Sequence, residues 1–222
     1  MPRTALALFV LLALAVSGRA APLVTLPGCT KAPVMDGVLS PGEWDQAAGP
    51  GLFSGRGGSV AAVQPEVHVT YDQANVYVAA RLPLPAGLKP EATANARGTP
   101  WDSIKQNGAW NANWTVRTGV GEGFWCVEFA IPFAALGAKT PADGQHRVAN
   151  FAWDCQTPSP VITSWSPLRQ GLHDPAGFGT IIFRPQAPAV AIKPQFAKYL
   201  YHWPGRWGST YNAGARPSSD TG

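Results

Sequence analysis

Two-residue alternation of apolar and polar side chains marks the most readable parts of this chain. Val67, Val69 and Tyr71 alternate with Glu66, His68 and Thr70, the pattern of a strand with one face turned to a core. Asp72 to Asn75 supplies a turn and Val76 to Leu82 a second strand, which together predict a β-hairpin with a four-residue loop. Further on, Trp125, Val127, Phe129 and Ile131 form one face of a strand, and Phe124, Cys126, Glu128 and Ala130 form the other. Trp114 to Arg117 reads as a strand followed by a turn over Gly119 to Gly123. Val148 to Asp154, Ile162 to Trp165 and Phe178 to Phe183 read as three more strands.

Between these segments the punctuation is Gly and Pro. Ser40 caps a short helical turn with Pro41 at its first position and Glu43 three residues after the cap. Pro132 to Gly137 is a second such turn, opened by Pro and closed by Gly. Pro22 to Pro33 is an extended lead-in, and Leu52 to Ala62 is broken by Gly55, Gly57 and Gly58. Pro83, Pro85 and Pro90 argue against regular strands from Leu82 to Asn113. Short strands joined by such turns predict an all-β fold, an antiparallel β-sandwich of jelly-roll type, with short helical turns.

Composition fits this reading: 24 Gly and 22 Pro, with only 14% charged residues, make a poor recipe for helices. It also bounds the domains. Residues 1–20 read as an export signal: Arg3 is the positive start, Ala5 to Val16 the apolar run, and Ser17, Gly18 and Ala20 the small residues before a cut at Ala21. That run is too short to span a bilayer comfortably, and no Cys sits just after the cut, so a secreted, extracellular or periplasmic protein is expected. Residues 21–185 are then one sandwich domain. Residues 186–222 form a Pro-punctuated tail carrying Tyr199, Tyr201, His202, Trp203, Trp207 and Tyr211. Of the net charge of +4, Arg3 and Arg19 supply two; the remaining +2 is too small to imply nucleic acid or an anionic membrane surface. Export permits a disulfide, and Cys29, Cys126 and Cys155 allow one bond with one thiol left over, the pair being left open by the sequence.

Several motifs then occur in order. Val34-x-Asp36-Gly37 precedes Glu43-Trp44; Val67-x-Val69-x-x-Asp72 precedes Asn75-Val76-Tyr77-Val78. Trp125 to Phe133 with Leu136-Gly137 follows, then Asn150-Phe151-Ala152, Ser164-Trp165-Ser166-Pro167, and His173-Asp174-Pro175 with Phe178-Gly179. From Pro33 to Phe183 this order resembles the family 9 carbohydrate-binding modules and their DOMON-like relatives. The resemblance implies an antiparallel sandwich that binds sugars, often at a chain end, with structural calcium in some members and haem or sugar as the ligand of DOMON domains. Members usually carry an acidic strand between the Val76–Leu82 strand and the segment matching Asn95; here it is absent. An irregular stretch from Leu82 to Trp101 is therefore expected, with a gap or free edge beside Val76–Leu82.

Sugars are held by aromatic faces stacked on ring C–H groups and by polar side chains at the rim. Trp44, Trp125 and Trp165 lie in strand or turn motifs and are assigned to the core. Trp101 and Trp110 lie in polar, loop-like sequence and are the stacking candidates. His173 and Asp174, just before the last strand, and Asn95 and Arg97 are the rim candidates. No Gly-x-Ser-x-Gly elbow and no His-Glu-x-x-His motif occurs. A glycosidase needs two opposed carboxylates, and the one strand-borne acid considered, Glu128, is assigned to pairing across the sheet. Haem ligation would rest on Met35, the only Met past the first residue. The leading expectation is a non-catalytic module whose partner is a mono- or oligosaccharide. Its rival is a structural or adhesive sandwich, a piece of a larger exported protein, whose ligand site is lost.

Overall fold

The computed structural model describes residues 21–84, 113–155, 161–168 and 175–189. Nine strands are described: β1 (Leu23–Pro27), β2 (Glu66–Tyr71), β3 (Asn75–Pro83), β4 (Thr115–Gly121), β5 (Phe124–Pro132), β6 (His146–Ala149), β7 (Ala152–Cys155), β8 (Val161–Ser164) and β9 (Gly179–Arg184). They form a four-stranded sheet in the order β2-β3-β5-β4, a three-stranded sheet β1-β9-β6 and a β7-β8 pair. Every pairing is antiparallel except β1 with β9, which is parallel. The larger sheet presents Val67, Val69, Ala80, Leu82 and Val127 to Val24, Leu26, Ile181 and Phe183 of the smaller one. Tyr71, Phe133 and Phe183 close the core edge to face, with the Tyr71 and Phe183 rings 4.9 Å apart.

The expected hairpin is present, with Tyr71 opposite Val76 and Asp72 Oδ1 accepting the N–H groups of Ala74 and Asn75 in its turn. Both short turns form as well. Glu43 Oε2 accepts the Ser40 N–H, and the 3₁₀ turn Phe133–Leu136 ends at Gly137 in the left-handed region.

Three expectations need correction. The strand Val76–Leu82 has no free edge: β3 pairs with β2 on one side and with all nine residues of β5 on the other. Val148–Asp154 is two strands in two sheets, broken at Asn150 and Phe151. The turn after β4 is Glu122-Gly123 alone, because Gly119 and Gly121 stay in the ladder opposite Cys126 and Phe124.

The outer face of the four-stranded sheet is also covered. Residues 29–48 lie across it, burying Trp44 and Ala47 against Tyr77 and Ala79, with Cys29, Met35, Leu39 and Ala130 packed around them.

Candidate functional site

Strand direction decides where the loops gather. The Tyr71–Phe183 contact joins the ends of β2 and β9, and Gly28, just past β1, bridges Tyr71 in parallel. The first residues of β1, β2 and β9 therefore share the opposite end of the sandwich. Antiparallel β3 finishes at that end, with Pro83 opposite Phe124. Segment 85–112, with Asn95, Arg97, Trp101 and Trp110, starts from this end. Segment 169–174, with His173 and Asp174, leads back to it. All six residues lie outside the described residues; what the structure describes is the stems that carry them.

Those stems are clamped. Asn150 grips Ser166 from both sides, its Nδ2 donating to the Ser166 carbonyl at 3.0 Å and its Oδ1 accepting the Ser166 N–H at 2.9 Å. The Ser166 hydroxyl donates to the Gly177 carbonyl at 2.5 Å, closing the base of the His173 loop. Between them, the buried Trp165 indole lies over Gly179, where a Cβ would come within 2.5 Å of Cζ3. On the other stem, the Leu84 N–H donates to the Gly123 carbonyl, and the Arg81 guanidinium sits 4.6 Å above the Phe124 ring. Segment 85–112 rejoins at the far end, where Trp114 stacks on Phe129 at 5.5 Å and 16°.

Glu128 does not pair across the sheet. Its neighbours are Ala79 and Arg117, and Arg117 points its Nη1 to the Val116 carbonyl instead. The fully buried Glu128 carboxylate accepts two backbone N–H groups on Oε2, from Asp36 at 3.0 Å and Gly37 at 2.7 Å. Burial pushes its pKa up, against the two N–H groups that favour the charged form. Gly37 has φ +88°, and a Cβ there would lie 2.5 Å from the Thr118 carbonyl oxygen. The Asp-Gly motif is thus a turn pinned onto the sheet by one carboxylate. The sequence offers one signal for this partner, an acid on an otherwise apolar face of β5, where alternation points to a cross-strand pair instead.

Trp44 and Trp165 are buried as expected, while Trp125 is half-buried against the core. Cys29 and Cys126 are both free thiols, each raised in pKa chiefly by burial. Among the described residues no three His, Cys, Asp or Glu side chains converge. No helix among the described residues is long and apolar enough to cross a membrane.

No family model and no curated protein matches the chain. Among solved structures, the chain is similar to a family 9 carbohydrate-binding module from Caldicellulosiruptor kristjanssonii in complex with glucose. The identity is 13%, over 76% of this chain and 98% of that one, with a TM-score of 0.52. A module of the same family and organism, in complex with cellotriose, matches at 15% identity over 78% of this chain and 100% of that one, with a TM-score of 0.50. The chain therefore has the all-β sandwich fold of family 9 carbohydrate-binding modules.

Proposed function

We propose that this protein is an exported, non-catalytic carbohydrate-binding module. Its ligand is a mono- or oligosaccharide, held at the sandwich end where β3 stops and β9 begins. Trp101 and Trp110 supply stacking faces, and Asn95, Arg97, His173 and Asp174 the polar rim. The observation that carries this reading is the match of the sandwich to the whole of two modules solved with glucose and cellotriose. The strand directions support it further for segment 169–174 and for the start of segment 85–112, which adjoin that end, while the last residues of segment 85–112 rejoin the sheet at the other.

A site of this kind needs stable stems and variable tips. The Asn150–Ser166–Gly177 clamp and the Trp165–Gly179 packing supply the stems. Binding then depends on apolar stacking and rim hydrogen bonds, with no bond made or broken.

Isothermal titration of the full chain with glucose, cellotriose and a panel of other sugars tests the proposal. Saturable heat is expected with at least one sugar, weakened roughly tenfold or more by Trp101→Ala or Trp110→Ala. A folded protein that gives no heat with any sugar, or whose affinity ignores both substitutions, overturns it.

A further inference from the structure

After β9 the backbone turns at Arg184, whose carbonyl accepts the Ala187 N–H, and Ala189, the last described residue, comes to the wall of a cavity. The cavity has a volume of about 270 Å³ and lies between the Ser40–Asp45 turn and the outer face of β2 and β3, where Glu66, His68 and Arg81 line it. A second hollow of about 700 Å³, over residues 31–46, shares Ser40, Pro41, Gly42 and Asp45 with the first, so the two adjoin along that turn. Trp44, on the cavity wall, is 6% exposed, and its indole N–H has no hydrogen-bond partner among the described residues. His68 Nδ1 is buried and equally without one there. His68 Nε2 lies 3.3 Å from Glu66 Oε1, which leaves Nδ1 as the acceptor of a neutral imidazole. Buried polar atoms in this state are rare, because each forfeits the hydrogen bonds it had in water.

We propose that this groove is the docking surface of the chain's own C-terminal segment, residues 190–198, with Val190 and Ile192 against its apolar wall and Lys193 on Asp45. The continuing chain is the occupant because it starts there. Lys193 stands four residues past Ala189, at most about 14 Å of extended chain, and Asp45 lines the same cavity as Ala189. A segment tethered at the mouth of its groove is presented at an effective concentration on the order of millimolar, so modest contacts hold it. Charge points the same way. Residues 190–222 carry Lys193, Lys198, Arg206 and Arg216 against Asp220 alone, while the groove wall over residues 31–46 carries Asp36, Glu43 and Asp45 against Lys31. A peptide backbone offers an N–H and a C=O at nearly every residue, so one segment supplies both the acceptor that the Trp44 indole lacks and the donor that His68 Nδ1 lacks. Val190 and Ile192 are two residues apart, and an extended chain turns both to one side. Leu39, Pro41 and Ala47 provide the apolar surface that would meet them.

The test is zero-length carbodiimide cross-linking of the full chain at low protein concentration, with peptide mapping of the monomer band by mass spectrometry. A carbodiimide joins a lysine to a carboxylate only where the two already touch. An amide between Lys193 and Asp45 is expected, and Asp45→Asn is expected to abolish it. In parallel, solvent exchange of the assigned Trp44 indole N–H is followed by NMR in the full chain and in a Val190→Asp/Ile192→Asp variant. The variant is expected to speed that exchange at least about fivefold with the rest of the spectrum unchanged. Should the variant fail to fold, the cross-link in the wild-type chain decides alone. Absence of the Lys193–Asp45 link overturns the proposal, as does Trp44 exchange that ignores both substitutions. So does a link confined to covalent dimers, which would put a second copy's tail in the groove.

Discussion

Glu128 offers the sharpest test of how this sandwich is held together. Glu128→Ala would leave the N–H groups of Asp36 and Gly37 facing a buried void. Each orphaned donor costs about 1–3 kcal/mol, so the variant should lose roughly 3–5 kcal/mol, a large part of the stability of an ordinary domain. Glu128→Gln keeps an oxygen for both donors and removes a charge that burial disfavours, but buries an amide NH₂ where Oε1 stood without a partner. These effects offset, and a change within about 1 kcal/mol of wild type at neutral pH is expected. The pH dependence has a definite sign. Burial raises the folded pKa above the ordinary value of 4.5. The folded state therefore keeps its proton where the unfolded chain has released it. The contribution of Glu128 to stability is fully present below 4.5 and is lost as pH rises through the raised folded pKa. Gln has no proton to lose, so the stability of Glu128→Gln relative to wild type should climb over that window and then level. Urea unfolding followed by Trp fluorescence across this pH range measures both quantities. An Ala variant that loses less than about 1 kcal/mol at unchanged m, or a Gln-minus-Glu difference that falls with pH, would refute the clamp.

Four further outcomes are expected. Gly37→Ala should cost about 2–4 kcal/mol in urea unfolding, since it forces a Cβ onto both a left-handed φ and the Thr118 carbonyl. Asn150→Ala should cost roughly 1–3 kcal/mol in urea unfolding by losing both hydrogen bonds to Ser166, and should weaken sugar binding through the His173 loop. Tyr77→Phe should cost about 1–2 kcal/mol, because the Tyr77 hydroxyl, with its pKa pushed up to about 12 by burial and then by Asp72, donates to Asp72 at 2.7 Å. For Asp72 itself, burial acts to raise the pKa, but Tyr77 and the turn N–H groups outweigh it and hold it below 3.8. Its contribution is present above 3.8 and lost as pH falls through the folded value, so acid unfolding should begin earlier in Tyr77→Phe. N-terminal sequencing of protein exported from an expressing bacterium should begin at Ala21; retention of residues 1–20 would refute the export reading.

The strands that the sequence made legible are those whose environment differs on their two faces. β2, β3 and β5 alternate because one face meets the sandwich core and the other meets residues 29–48. The misreadings have a common cause, contacts too distant for any local pattern to encode. Gly119 reads as a turn residue, yet it stays in β4 because the Gly37 backbone packs where a Cβ would stand. Val148–Asp154 runs without Gly or Pro, and the break at Asn150 comes from its grip on Ser166. β1 lacks any strong strand signal and forms by parallel pairing with β9, at the other end of the domain. Of the candidate site, all six predicted residues lie outside the described residues; what the structure adds is the flanking clamps, and Asn150 gives no local sign that its partner is Ser166, sixteen residues away.

The same long-range contacts explain what the ordered motifs measure. Asp36-Gly37 is held by Glu128 of the Trp125–Phe133 motif, and Asn150 by Ser166 of the Ser-Trp-Ser-Pro motif. Trp165 in turn packs on Gly179 of the Phe-Gly motif. Each motif is one half of a clamp whose other half is a second motif, so neither half can change alone without orphaning a buried polar group or forcing a clash. That mutual dependence ties distant parts of the chain to one another. It also means that the motifs report the scaffold and leave the ligand unspecified. On the function proposed above, the residues that choose a sugar are those of segments 85–112 and 169–174, which the clamps flank. Loop substitutions should therefore retune binding at little cost in stability, whereas substitutions in the clamps should lower both together.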